Sequence, residues 1–223
     1  MTGTTEPVVA IDGPAGAGKS TLARALAEIL GLPYLNTGAM YRALAAEALD
    51  RRIDPDDAEG LAELARRLRF ALDQGRPPSL TIDRRPPAPD LSSAGVEAVV
   101  SQVAGHPAVR DVLRAEQRRL GRAGAVVEGR DIGTVVFPDA DLKVFLRAEA
   151  GERAARRQAE RGTTDPALAE ALDRRDVRDA RTNPLVPAGD ARVIDTTGKD
   201  ARQVLEEVLD LVRAAGVRSA EGS

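Results

Sequence analysis

The segment Gly13-Pro14-Ala15-Gly16-Ala17-Gly18-Lys19-Ser20 constrains the fold of this chain more than any other stretch. Its glycines and alanines let successive backbone N–H groups turn toward one centre, a geometry that larger side chains block. The run before it, Val8-Val-Ala-Ile11, is short, β-branched and free of polar residues, as a strand buried on both faces requires. After it, Leu22, Leu26, Ile29 and Leu30 recur on one helical face, which stops at Gly31. A strand that turns through glycines into a helix N-terminus is a phosphate cradle. The spacing puts Lys19 where it bridges the β and γ phosphates of ATP, the Ser20 hydroxyl where it ligates magnesium, and Thr21 beside them. A tight turn with an incidental lysine is the alternative. Only three lysines occur in the 223 residues, and one of them stands in this loop.

Strand-like and helix-like segments alternate along most of the chain, the pattern of a parallel sheet covered by helices. Apolar runs at Pro33–Asn36, Ala125–Glu128, Leu142–Leu146 and Arg192–Asp195 join Val8–Asp12 to give five expected core strands. A final helix over about 201–214 carries Val204, Leu205, Val208, Leu211 and Val212 at helical spacing. Between about 68 and 89 the alternation breaks into two short runs separated by Gly75-Arg-Pro-Pro, which reads as a small antiparallel insertion. Residues 92–122 are helical again, interrupted at His106-Pro107. The expectation is one α/β domain, with a core over about 8–60, 123–148 and 190–214, an insert over about 61–122 and a helical lid over about 150–182.

Several chemistries are excluded. With no cysteine there are no disulfides, iron–sulfur clusters or thiolate zinc sites, and His106 is the single histidine, read as a loop or cap residue. Any metal is therefore a hard one held by oxygen, which points to magnesium. A net charge of −3 attracts no polyanion, and five scattered aromatic side chains build no base-stacking platform, so no nucleic-acid partner is expected. No apolar run approaches the ~20 residues of a membrane span, and the first residues carry no signal-like hydrophobic core. A cytoplasmic monomer without a membrane partner is expected.

The glycine loop alone does not distinguish a kinase from a GTPase switch or a motor. No Asn-Lys-x-Asp guanine motif occurs, and Thr197-Gly-Lys-Asp200 lacks the asparagine. Arginines are abundant, notably Arg130, Arg153, Arg156, Arg157 and Arg161, then Arg174 to Arg181. Phosphoryl transfer between two anions needs converging arginines from several elements. Any one of them taken alone is as well read as a solvated helix residue. Arg130 stands apart because it follows an apolar strand, and ligands bind at the carboxyl edge of a parallel sheet.

At Thr37-Gly-Ala-Met-Tyr-Arg42, Ser101–Arg110, Gly129-Arg-Asp-Ile-Gly-Thr and Arg175-Asp-Val-Arg-Asp179 the chain resembles the bacterial cytidylate kinases, from about Val8 to Ala214. The resemblance implies a P-loop kinase core that moves the γ-phosphoryl of ATP, with magnesium, to CMP or dCMP. It implies that Arg42 and Arg130, with Thr37 nearby, hold the acceptor phosphate. Ser101, Arg110 and Asp131 would read cytosine, and Arg175 with Asp179 would lie near the sugar. Arg157 is the expected lid contact to phosphate, and Arg181 a further catalytic arginine. Two departures stand out: Glu128 where the family often has aspartate, and Arg181 two residues after Asp179 rather than three.

The residues themselves leave alternatives open. Thr37 is also placed to cap the helix that begins near Gly38, and Asp131 to pair with its neighbour Arg130. Ser101 and Arg110 flank the Pro107 break, either converging on one ligand edge or lying on helix surfaces. A kinase for UMP, AMP or a hydroxyl metabolite, or a nucleotide-dependent regulatory module, remains the rival reading.

Overall fold

A computed structural model describes residues 6–162 and 185–218. Its centre is strand β1 (Val8–Asp12), which pairs in parallel with β5 (Ala125–Gly129) on one side and β6 (Leu142–Arg147) on the other. Outside these lie β2 (Tyr34–Asn36) and β7 (Arg192–Asp195), giving a five-stranded sheet of order β2-β5-β1-β6-β7 with every pair parallel. These are the five strands that the apolar runs predict.

Residues of β1 alternate between two cores. Val9 and Ile11 pack with Leu22 and Leu26 of α1 (Lys19–Leu30) and with Val204 and Val208 of α7 (Ala201–Ala214). Ala10 faces the opposite side, where Leu35 and Val127 meet α2 (Thr37–Asp50), α3 (Ala58–Arg67), α4 (Ala94–Val103) and α5 (Pro107–Gly121). Both faces of the sheet are covered at its inner strands β1, β5 and β6, which is why these read as apolar runs, whereas at the edge strand β7 only Ile194 is buried among the described residues. The remaining helix, α6 (Ala150–Arg161), follows β6 and lies against the glycine loop.

At the expected insertion, β3 (Phe70–Leu72) and β4 (Leu80–Ile82) form a two-stranded antiparallel sheet. Phe70 and Leu80 belong to the α2–α5 core, and Arg119 of α5 donates to the Phe70 carbonyl at 2.6 Å. The break before α5 falls at Pro107, where a missing N–H costs a helix nothing. His106 takes the N-cap position, but its ring bonds the Pro55 carbonyl at 2.8 Å instead of capping.

One local expectation is corrected. Asn36, not Thr37, caps α2: its Oδ1 accepts from the Ala39 N–H at 3.0 Å. Asn36 ends a strand and so has the extended backbone a cap needs, whereas Thr37 is already helical. The Thr37 hydroxyl donates to the Glu128 carbonyl at 2.7 Å and ties α2 to β5.

Two glycines of the loop are obligatory. A Cβ on Gly13, at φ 146, would lie 2.3 Å from the Leu146 carbonyl oxygen; one on Gly16, at φ 77, would lie 2.7 Å from that of Arg153. Among the described residues no helix is long and apolar enough to cross a membrane.

Leu26 is fully buried between α1 and the sheet. Leu26→Ala is expected to lower stability by about 2–5 kcal/mol without changing the fold, read from urea unfolding monitored by far-UV circular dichroism.

Candidate active site

The carboxyl ends of β1, β2 and β5 and the glycine loop meet at one cleft of about 380 Å3. At one end Ala15, Gly16, Gly18, Lys19, Ser20 and Thr21 form the wall. The Lys19 ammonium donates to the Pro14 carbonyl at 2.7 Å, so the loop binds its own cation. Gly13 and Ala17 lie behind the wall, the first against β6 and the second fully buried.

The arginines of α6, grouped by the sequence on one lid, divide into different roles. Arg153 is buried and donates to the Ala15 carbonyl at 3.2 Å. Arg156 donates to the Thr196 hydroxyl at 2.9 Å and carbonyl at 2.6 Å, and that hydroxyl in turn donates to the Ala17 carbonyl at 3.3 Å. Both therefore brace the main chain of the glycine loop from outside the cleft. Arg157 lines the cleft itself.

Beneath the loop, the Ser20 hydroxyl donates to Glu128 Oε2 at 2.9 Å. Tyr34 donates to the other oxygen, Oε1, at 2.5 Å, and Asn36 donates to the tyrosine oxygen at 3.3 Å. Burial, reinforced by the facing Glu128 carboxylate, pushes the Tyr34 hydroxyl far above its ordinary range, so it stays a donor. Glu128 is 3% exposed, and among the described residues its side chain meets two hydroxyls and no basic group. A buried carboxylate without a counter-charge is costly, and its oxygens beside Ser20 suit a hard cation. No cluster of three or more acidic or histidine ligands occurs among the described residues. A hydroxyl beside carboxylate oxygens is a donor set that fits magnesium, which commonly completes its shell with water and phosphate oxygens.

At the far end Thr37, Arg42, Ser101, Arg110, Arg130 and Asp131 all line the same cleft. Ser101 ends near the close of α4 and Arg110 stands in the first turn of α5, so the Pro107 break brings them together. The Ser101 hydroxyl is buried with no hydrogen-bond partner among the described residues. Arg42 Nε lies 3.3 Å from Glu97 Oε1. Asp131 does not pair with Arg130: its Oδ2 accepts from Arg110 at 2.8 Å and from Arg114 at 2.6 Å. Arg110 and Arg114, one turn apart on α5, both reach this carboxylate.

Asp12, the last residue of β1, fixes the segment that carries Asp131. Its two carboxylate oxygens accept from the Ile132 and Gly133 N–H groups, each at 2.8 Å. Burial raises the Asp12 carboxyl above its ordinary range, and these two amides pull it back down. Tyr41, also on the cleft wall, is raised by burial as well.

Arg175, Asp179 and Arg181 lie outside the described residues, as do most of the expected lid and its second half. Sequence reading missed Asn36, Tyr41 and Arg114, and noted Glu128 only as a variation. The available signal was a carboxylate ending an apolar strand: Asp12 closes Val-Val-Ala-Ile, and Glu128 closes Ala-Val-Val.

The model of a family described as cytidylate kinase matches residues 9–214. The chain is 47% identical to a bifunctional pantoate ligase/cytidylate kinase of Synechococcus sp. (strain JA-2-3B'a(2-13)), across 96% of this chain and 42% of that protein. It therefore spans less than half the length of that relative. It is also 43% identical to a cytidylate kinase of Desulfitobacterium hafniense (strain Y51), across 91% of each chain.

Glu128→Gln keeps the shape of the network beneath the loop and removes its charge. With the protein saturated by a non-hydrolysable ATP analogue, magnesium affinity measured by titration calorimetry is expected to fall about 10- to 100-fold. Unchanged affinity would separate Glu128 from the metal.

Proposed function

The chain belongs to the cytidylate kinase family, and on that premise we propose that it transfers the γ-phosphoryl group of ATP to CMP or dCMP, giving ADP and CDP or dCDP. The observation that carries this reading is a single cleft with Lys19 and Ser20 at one end and the Arg110–Asp131 pair at the other. A phosphate cradle and a polar pair able to read a base edge thus face one space.

In this reading the phosphates of ATP lie along Gly13–Thr21, and Lys19 leaves the Pro14 carbonyl to follow the transferred group. Arg157 adds positive charge on the donor side. Arg42 and Arg130 orient the acceptor phosphate, whose oxygen is the nucleophile, and Thr37 lies beside it. The acceptor phosphate oxygen attacks the γ-phosphorus directly, and no covalent phosphoenzyme forms. Magnesium held at Ser20, with Glu128 beneath, supplies neutralisation of phosphate charge. Transfer of this kind rests on positioning and electrostatics, and the site offers both.

The resemblance extends the reading to Arg175 and Asp179 at the sugar and to Arg181 as a further phosphate contact. It also assigns about 61–122 to a monophosphate-binding insert and about 150–182 to a lid. A net charge of −3 supports small-molecule substrates over nucleic acid. The reading is completed by a monomer acting in the cytoplasm without a membrane partner.

Base choice follows from the pairing edge of cytosine, an amine that donates beside a ring nitrogen and a keto oxygen that accept. Asp131 accepts from the amine, and Arg110 and the unpartnered Ser101 hydroxyl donate to the acceptors. Uracil turns its keto oxygen toward the carboxylate and its ring N–H toward the guanidinium. Each mismatched buried group costs ~1–3 kcal/mol, so UMP is disfavoured by about tenfold to several hundredfold.

The direct test incubates the protein with ATP, magnesium and each nucleoside monophosphate, and identifies the diphosphate by ion-exchange chromatography. CDP and dCDP are expected; ATP hydrolysis that ignores the acceptor would indicate a regulatory module instead. Lys19→Ala is expected to cost about 3 kcal/mol or more of transition-state stabilisation with the fold intact. Activity within tenfold of wild type would remove the loop from the active site. Asp131→Asn is expected to lower turnover of CMP and narrow its advantage over UMP, because an amide donates as well as accepts. Equal losses for both substrates would mean that Asp131 does not read the base.

A further inference from the structure

We propose that Arg114 is a specificity-determining positioning residue, holding the Asp131 carboxylate in place while Arg110 turns to the base. This rests on the reading of the cleft as a cytosine-nucleotide site.

Arg110, Arg114 and Arg118 stand four residues apart on α5, and four residues advance about 6 Å along nearly the same helical face. All three reach the segment after β5. Arg110 and Arg114 donate to Asp131 Oδ2, while Arg118 donates from Nη2 to the Val135 carbonyl at 2.8 Å and from Nε to that of Val136 at 3.1 Å. From the other side, Asp12 holds the Ile132 and Gly133 amides. The backbone at Asp131 is therefore fixed without Arg114, whose guanidinium acts on the carboxylate alone.

Two guanidiniums on one oxygen exceed what a structural ion pair needs. They differ in where they stand: Arg110 lines the cleft, and Arg114 does not. Both pairs are well shielded, with side chains 11%, 20% and 12% exposed for Arg110, Arg114 and Asp131. When Arg110 directs N–H groups to a ligand, a carboxylate with no second partner would be left buried beside Asp12, a like charge that already opposes it. Arg114 removes that conflict. It keeps Oδ2 engaged, and among the described residues Oδ1 accepts no hydrogen bond while Asp131 lines the cleft, which leaves that oxygen for a donor on the ligand. An amine satisfies that oxygen and a keto group does not. Arg114 thus supports the choice of a 4-amino over a 4-keto pyrimidine without touching the substrate.

The test compares Arg114→Met and Arg114→Lys with wild type in the full chain. Steady-state KM and kcat are measured for CMP and UMP, together with calorimetric affinity for ATP and the melting temperature. Loss of one charge-assisted hydrogen bond predicts a rise of about tenfold or more in the KM for CMP and a CMP/UMP ratio of kcat/KM reduced about fivefold or more in the Met variant. ATP affinity stays within twofold of wild type. Arg114→Lys keeps the charge and recovers part of the lost ratio. If Arg114→Met does not fold, Arg114→Gln, which drops the charge but keeps a donor, takes its place under the same criteria. A folded variant with the wild-type CMP/UMP ratio overturns the inference and leaves the kinase reading standing. A wild-type protein that phosphorylates neither pyrimidine monophosphate overturns both.

Discussion

The two bonds from the Asp12 carboxylate to the Ile132 and Gly133 amides join the halves of this cleft. Asp12 is the last residue of the central strand, and Gly13 beside it opens the phosphate loop. Through its backbone β1 sets the donor end, and through its side chain it sets the segment that carries Asp131. Burial makes the charge on Asp12 expensive, and the two amides together with Lys19 offset that expense. The central strands on which this depends are packed on both faces.

Electrostatics divides the cleft into three regions. Lys19, Arg157, Arg42 and Arg130 line the cleft with positive charge, and the buried Glu128 stands among them; in the proposed function the first two serve the donor, the next two the acceptor, and Glu128 a cation. Other arginines do a different task with the same chemistry. Arg153 and Arg156 bind main-chain carbonyls of the loop and of Thr196, so they hold α6 against the glycine turn. The close approach of α6 is also why Gly16 admits no side chain.

Much of this was legible from periodicity. The five strands declared themselves because a sheet buried on both faces leaves continuous apolar runs, and the glycine loop because its spacing permits few other backbones. The Pro107 break was legible too; the residues left open whether Ser101 and Arg110 converge across it, and in the structure both line one cleft. Contacts between distant segments were not. Nothing local says that Arg114 reaches Asp131 across 17 residues, or that Tyr34 and Ser20 share Glu128 across 94 and 108. Residue type made Thr37 one candidate for the helix cap; Asn36 fills that position because it ends a strand in extended backbone. The α6 arginines look alike by residue type; the resemblance singles out Arg157, and packing shows that Arg153 and Arg156 brace the loop.

The central claim is that one strand end aligns a phosphate cradle with a cytosine reader. A crystal structure with a bisubstrate analogue, in which adenosine and cytidine are joined by a polyphosphate chain, measures this directly. The account predicts that the chain runs from the Gly13–Ser20 amides to Arg42 and Arg130, with the cytosine amine within hydrogen-bond distance of Asp131 Oδ1. A cytosine ring bound away from Asp131 and Ser101, with the polyphosphate still in the loop, would contradict it.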